Sequence, residues 1–525
     1  MTAIRFERAA PDAGRAVVLD EGQRAVVDLP DAASAAVLGA PGSGKTTTIV
    51  ELVADRIDRR GWSPDSVLVL APSRAAATRL RDRLALRVGA PTNGPLARTV
   101  SSFAFELVGA AAKAAGATPP RLVTAAEQDA DIAAILDGHL ESGSGPRWPE
   151  PLEPAVRRLR GFRTELRELM ARATEYDVDP ARLRELGRST GRPAWVAAAD
   201  FIDEYLGIVA SSREAQLDPA ELARFAVTAI QLGIDESAGV GDRVASLRLI
   251  VVDDLQEATE STLAMLRALR QRGVAVIAFG DPDVATNAFR GGEPDALGRL
   301  SALLGDPELG QLVLPIVHRQ PEPLRALTSA VIVQGRLGTA AAGRQRQARA
   351  AAAESAAAVP LSRIEATSPA REWAAIARLL REEHLDRDVP WGELAVIVRS
   401  SAHAPGIARA LALAEVPTRT ASGGVALRDE TAARGLLALV ELGVGRSELT
   451  PELAVELLLS AYGGLDALGL RRLRLSLRAE ELAGGGSRTS DALLVEALSA
   501  PGRLATIDSR PARQAERLAE TIAEL

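Results

Sequence analysis

The stretch AAVLGAPGSGKTTTIVELV, Ala35 to Val53, decides the fold. It begins as an apolar run, turns through a loop carrying Gly39, Gly42 and Gly44, and continues with Ile49, Leu52 and Val53 at helical spacing. That order is strand, loop, helix. Inside it, GAPGSGKT (Gly39 to Thr46) has the eight-residue spacing of a phosphate loop between the elements such a loop requires. The glycines let the backbone close around a phosphate chain, so that successive N–H groups and the helix N-terminus face negative charge. The candidate phosphate-binding residues are therefore Gly39, Ala40, Pro41, Gly42, Ser43, Gly44, Lys45, Thr46 and Thr47. Lys45 would reach the terminal phosphates of ATP, and Thr46 would hold Mg2+. Lysine occurs elsewhere in the chain only at Lys113, and arginine's wide planar fork replaces a compact ammonium poorly between two phosphates.

Further along, SVLVLAP (Ser66 to Pro72) followed by SRAAATRLRDRLALRV repeats the strand-then-helix logic, and LRLIVVDD (Leu247 to Asp254) and VAVIAFGD (Val274 to Asp281) are apolar strands ending in acid. Strands alternating with helices imply right-handed crossovers and a parallel sheet whose ligands sit at the carboxyl ends of the strands. The polar signals lie at those ends. Residues 109–244 change to helical segments broken by clusters such as SGSGPRWPEP (Ser142 to Pro151), with no convincing strand, and are expected to form a helical insertion. The first α/β domain would then comprise residues 1–108 and 245–310. A second α/β domain is expected over 311–445, with ELAVIVRS (Glu393 to Ser400) as a strand and an Ala/Arg tract at 340–360 that is either a connector or a solvated helix. Residues 446–525 are leucine-rich and helical.

Bulk properties fit this organisation. A chain of 525 residues exceeds what one core supports, and 47% hydrophobic with 25% charged residues is ordinary for a globular protein. The absence of cysteine excludes disulfides, thiolate metal sites and a cysteine nucleophile, and a cytoplasmic location fits it. No signal-peptide profile and no membrane-spanning run is present. A formal net charge of −7 gives no global attraction to nucleic acid but leaves room for a local basic groove. The four histidines, His139, His318, His384 and His403, form no ligand-spaced cluster.

A phosphate loop needs a carboxylate on a neighbouring strand to orient magnesium, and Asp253 is the candidate. Asp254 would polarise the attacking water; either acid could instead be a helix N-cap.

These segments, taken in order, resemble the UvrD/Rep group of superfamily one DNA helicases and, within it, RecB-like motors of the AdnA type. The resemblance implies two RecA-like phosphate-loop domains with parallel sheets, each carrying a helical insertion, the second incomplete. It assigns Gln23 in LDEGQRAVV to the adenine base, and Ser73, Arg74, Ser102 and Phe103 to segments that contact DNA. VVDDLQEA corresponds to the family's acid-Glu-x-Gln segment, which adds Gln256 to the catalytic set. In GDPDVATNAFRGG, Phe289 would stack on a DNA base, or else be a core aromatic, and Arg290 would bridge toward the nucleotide. LPIVHRQPEPL supplies Arg319 to the phosphates and places His318 where the family has a tyrosine that stacks on adenine.

The sequence also departs from the family. Asp254 stands where the family has glutamate, which sets its carboxylate roughly 1.5 Å further back. Val284 replaces the glutamine that senses the terminal phosphate, Asn287 replaces an aromatic residue, and Ser101 stands in place of a histidine. The later family motifs and the nuclease domain do not appear before Leu525. The binding apparatus is spared while the hydrolysis apparatus is altered. The implied function is an ATP-dependent DNA motor, moving 3′ to 5′ on single strands from duplex ends. It would serve as one subunit of a helicase-nuclease beside a second, AdnB-like subunit in break resection and recombination repair. A non-catalytic nucleotide- and DNA-binding clamp, or an unrelated phosphate-loop kinase or ATPase, are the alternatives.

Overall fold

A computed structural model describes residues 17–212, 216–232, 240–288, 291–334, 349–350, 362–400, 403–419 and 431–525. The chain divides into two compact units, Met1–Pro360 and Leu361–Leu525. Among the described residues the first unit holds a six-stranded sheet: β1 (Ala35–Gly39), β2 (Val67–Ala71), β3 (Ala97–Thr99), β4 (Leu249–Val252), β5 (Ala275–Gly280) and β6 (Gly310–Leu314). They lie in the order β3-β2-β4-β5-β1-β6, and every pairing is parallel. The chain is thus α/β, with the parallel sheet of a RecA-like domain.

Alternation along the strands sends side chains to opposite faces. Leu38, Leu68, Leu70, Ile250, Val252 and Val276 enter one core with Phe103, Leu107, Leu222 and Leu266 from the helices Val100–Ala114, Pro219–Leu232 and Glu260–Gln271. Val37, Val69, Val251, Ile277 and Phe279 enter the other with Ile49, Leu52, Leu80 and Leu84 from the helices Lys45–Ala54 and Arg74–Arg87. Both faces are covered, which is why these strands read as continuous apolar runs rather than alternating ones. Each fully buried Leu, Ile or Phe contributes roughly 1.5–3 kcal/mol.

The helix that leaves the phosphate loop ends in a wide π turn, Asp55–Arg59. Arg56 in that turn is 1% exposed, donates to Val27 O at 2.9 Å and Leu29 O at 2.8 Å, and pairs with Asp55. It thereby ties the loop helix to the C-terminal end of the short helix Glu21–Val27, which carries Gln23.

The helical insertion is narrower than the sequence suggests. Val100–Ala114 and Pro219–Leu232 pack on the sheet, and a two-residue parallel ladder, Arg121–Leu122 with Gln216–Leu217, closes the neck. Beyond it the helices Ala125–Ser142, Arg160–Glu175, Pro180–Ser189 and Pro193–Ser212 share a core of Ile132, Leu136, Leu166, Met170 and Phe201. So short a ladder has no apolar alternation to announce it. At the other end, Gly310–Leu314 extends the first sheet beyond the expected boundary at residue 310, because Leu314 packs into the same core as β1. The 340–360 tract lies outside the described residues except Arg349–Ala350, which pairs with Ile316–Val317.

In the second unit, helices Pro369–Arg387 and Ala404–Leu413 pack around Ala377, Ile407 and Leu411, with Val396 and Val398 laid against them. In ELAVIVRS, Glu393 ends a 3-10 turn and Leu394 to Val398 form no strand and pair with none among the described residues, and Ile397 is 94% exposed. Thr431–Gly443, Pro451–Leu459, Ala467–Ala483, Ser490–Ser499 and Arg510–Glu524 form a leucine-rich helical bundle. Among the described residues no helix is long and apolar enough to cross a membrane.

Candidate nucleotide site and adjoining cleft

The loop after β1 is shaped for an anion. Gly42 and Gly44 have φ of 85° and 83°, a conformation that side-chain-bearing residues rarely adopt. A Cβ on Gly42 would press on Arg319 Cβ at 3.1 Å, and one on Gly44 would collide with the Gln23 amide. The buried Ser43 hydroxyl has no hydrogen-bond partner among the described residues, and Lys45 Nζ donates to Gly39 O at 2.8 Å. His318 N donates to Gly42 O at 2.9 Å, which pins the segment after β6 onto the loop and brings Arg319 with it.

Asp253 follows β4 and is 8% exposed. Burial, with the neighbouring Asp254 charge adding to it and Lys45 opposing it, pushes its carboxyl up to about 7. Asp254 adopts φ 51° and ψ 55°, the left-handed region, which aims its side chain back toward Gln256. Gln256 Nε2 donates to Asp254 Oδ1 at 3.2 Å, and Gln256 Oε1 accepts from Asp281 N at 2.9 Å. Asp281, at the end of β5, is fully buried, and its Oδ2 lacks a partner among the described residues. Burial pushes this carboxyl up to about 6 against the pull of Lys45.

These groups surround a cavity of about 500 Å³ that Gln23, Gly42, Gly44, Lys45, Thr46, Thr47, Asp253, Asp254, His318 and Arg319 line. The size suits a small-molecule ligand. Gly39, Ala40, Pro41 and Ser43 form the loop behind that lining. The partnerless Ser43 hydroxyl, the side-chain-free cradle and the convergent cations fit a nucleotide triphosphate, with Thr46 and Asp253 as the residues to hold its magnesium. The sequence reading missed Arg83, which also lines the cavity, and Arg79, whose charge favours ionised Asp253. They sit four residues apart on one helix face, a signal hidden among the other arginines of RLRDRLALR.

A second cavity of about 520 Å³ opens where the sheet meets the insertion. Thr99, Ser101, Asn287, Arg167, Arg172 and Glu257 line it, and Asp253 and Asp254 line it too, so the acidic pair is the wall between both cavities. Two insertion contacts frame residues 291–293: Tyr176 donates to Glu293 Oε1 at 2.8 Å, and a side chain on Gly291 would collide with the Arg172 guanidinium. Ser73, Arg74 and Ser102 are exposed beside this cleft, Ser73 as the N-cap of its helix. Phe103 is a correction. Its side chain is fully buried between helix and sheet, so the ring is core and unavailable to a base. Phe289 and Arg290 lie outside the described residues.

A search of the curated proteins finds no match to the chain. Residues 19–303, more than half of the chain, match the UvrD/REP helicase N-terminal domain. With its parallel sheet, its phosphate loop and its strand-end acids, the chain belongs to that family of ATP-dependent DNA helicase motors.

Proposed function

We propose that this chain is the ATP-binding, DNA-translocating motor subunit of a helicase-nuclease of the AdnA type, with slow hydrolysis of its own. The observation that carries the reading is the convergence of Lys45, Thr46, Asp253, Arg83 and Arg319 on one cavity whose wall, Asp253–Asp254, is shared with the cleft beside the DNA segments. Lys45, on leaving Gly39 O, would meet the terminal phosphates, and Arg83 and Arg319 would neutralise charge on the outgoing phosphate. Magnesium, when bound at Thr46 and Asp253, would supply charge neutralisation on the same oxygens. Its positive charge would also return the buried Asp253 to the ionised form.

Slow hydrolysis rests on Asp254. Its short carboxylate is held by Gln256, and Val284 offers no hydrogen bond at the sensing position. General-base assistance is worth on the order of 10²–10⁴ in rate, so a carboxylate held short and engaged by Gln256 forfeits much of it. Action at duplex ends, 3′ to 5′ polarity, a role in recombination repair and an AdnB-like partner follow from the resemblance. The Asp254–Gln256 bond also supports the second reading, a clamp that binds nucleotide and DNA without hydrolysis. The test is DNA-stimulated ATPase with and without the partner, for wild type and Lys45→Ala. Loss of turnover in the variant supports a motor. Unchanged ATPase of the assembled complex supports the clamp, and ATP binding that DNA never alters sinks both.

A further inference from the structure

The helical insertion meets the sheet domain at more than its neck. Its helix Arg160–Glu175 carries Arg167, which lines the cleft, and ends with Arg172, Glu175 and then Tyr176 against residues 291–293. Arg172 lies against Gly291 and is gripped by both oxygens of Glu175, at 2.8 Å from Nη2 and 2.5 Å from Nη1. A fork held twice is fixed in direction. Glu175 is anchored in turn by the Ser261 side chain on the helix Glu260–Gln271. Tyr176 Oη donates to Glu293 Oε1 at 2.8 Å, while the backbone of Glu293 is fastened separately, its N donating to Ala258 O at 2.8 Å. Glu257 Oε1 accepts from Thr286 N at 2.8 Å and from Thr286 Oγ1 at 3.1 Å. Residues 257 and 258 therefore hold the chain that leaves β5 at two points. They follow directly on Gln256, whose amide holds Asp254. The bonded path from the insertion to the acid runs through Tyr176, Glu293, Ala258 and Gln256 to Asp254.

Resting on the nucleotide- and DNA-binding reading above, we propose that Tyr176 is a positioning residue through which the helical insertion sets how strongly nucleotide and single-stranded DNA affect each other's binding. DNA lodged in the cleft meets Arg167, so it loads the helix whose end carries Tyr176. Nucleotide loads the other end of the path through Asp253 and Asp254, the wall that both cavities share. A path of contacts becomes a route of coupling only where both ligands bias it, and here each ligand's cavity borders one end. Tyr176 suits a test because it is 51% exposed, so phenylalanine keeps the ring and removes the hydroxyl without opening a cavity. One hydrogen bond can change a coupling by no more than its own worth, about three- to ten-fold at this exposure.

The experiment measures the Kd of the full chain for a labelled oligothymidine by fluorescence anisotropy, with and without ATPγS and magnesium. The ratio of the two values is the coupling factor, and it needs no turnover. Tyr176→Phe should move that ratio toward unity about three- to ten-fold, while the affinity for each ligand alone stays within about two-fold of wild type. Glu293→Gln keeps an acceptor oxygen for the tyrosine and should preserve the wild-type ratio. Glu293→Ala should match Tyr176→Phe, and the double variant should lose no more than either single one, as partners in one bond require. Arg182→Ala, which breaks the exposed Arg182–Glu185 pair elsewhere in the insertion, should leave the ratio alone. A wild-type ratio in Tyr176→Phe, even with a lowered melting temperature, makes the bond merely structural and overturns the proposal, as do additive losses in the double variant. If ATPγS and the oligothymidine ignore each other in the wild type, the motor reading itself falls and this one with it.

Discussion

Gln256 joins two strand ends: its Nε2 holds Asp254 Oδ1 at 3.2 Å while its Oε1 holds Asp281 N at 2.9 Å. The acid expected to activate water is thus tethered to the neighbouring strand. Restoring reach at both altered positions, with Asp254→Glu and Val284→Gln together, should raise the DNA-stimulated kcat on the order of 10²-fold with little change in KM. Steady-state kinetics decides it, and an unchanged kcat would show that the limit lies elsewhere.

The same amide has a structural share. Gln256→Leu leaves the buried Asp281 N–H without its acceptor and should cost about 1–3 kcal/mol in urea unfolding. Gln256→Glu keeps the acceptor for Asp281 N but sets a second carboxylate against Asp254, and should recover part of that stability without recovering turnover.

Gly44 and Gly61 make a matched pair. Both have positive φ, 83° and 69°, but a side chain at Gly44 strikes Gln23 whereas nothing lies within 4 Å of one at Gly61. Alanine at either should cost about 1–2 kcal/mol through the backbone alone. Gly44→Ala should in addition weaken nucleotide binding on the order of 10²-fold while Gly61→Ala leaves it intact, as titration calorimetry would show. Equal affinities would mean that the loop does not hold phosphate.

Arg83 is exposed and forms no hydrogen bond or ion pair among the described residues, so its removal separates chemistry from folding. Arg83→Ala should leave the melting temperature unchanged and lower kcat on the order of 10²-fold, with ADP affinity nearly constant. A parallel fall in ADP affinity would instead place Arg83 on the inner phosphates.

Glu175 supplies a pH test at the cleft. Burial pushes its carboxyl up to about 7 although Arg172 Nη2 donates to it at 2.8 Å. Because the folded chain favours the neutral acid, this stabilisation is complete below the ordinary value of 4.5 and is lost as pH rises through about 7. Glu175→Gln should therefore stabilise the protein at pH 8, on the order of 1 kcal/mol after solvent screening, and make no difference at pH 4. Melting curves across that range would register the crossing, and a constant offset would contradict it.

What the sequence disclosed depended on how local the physics was. The phosphate loop is legible because Gly42, Gly44 and Lys45 act through their own backbone and the helix that they begin, and the strand-end acids are legible because a doubly covered parallel strand has to read as an apolar run. Phe103 is buried because exposure within VSSFAF depends on which helix face meets the sheet, and Phe103 and Leu107 share that face four residues apart. Arg83 reaches the cavity only through packing of its helix against the loop helix. The LAVIV run, Leu394 to Val398, shows the converse: despite its strand propensity it bonds to no neighbouring strand among the described residues and forms no sheet there.

The double duty of Asp253 and Asp254 as a common wall has a pharmacological corollary. A drug-like molecule lodged among Ser101, Asn287 and Glu257 would touch the reverse side of the acids that face Lys45. Such a compound would inhibit ATP turnover noncompetitively, lowering its maximum rate while leaving the cofactor free to dock.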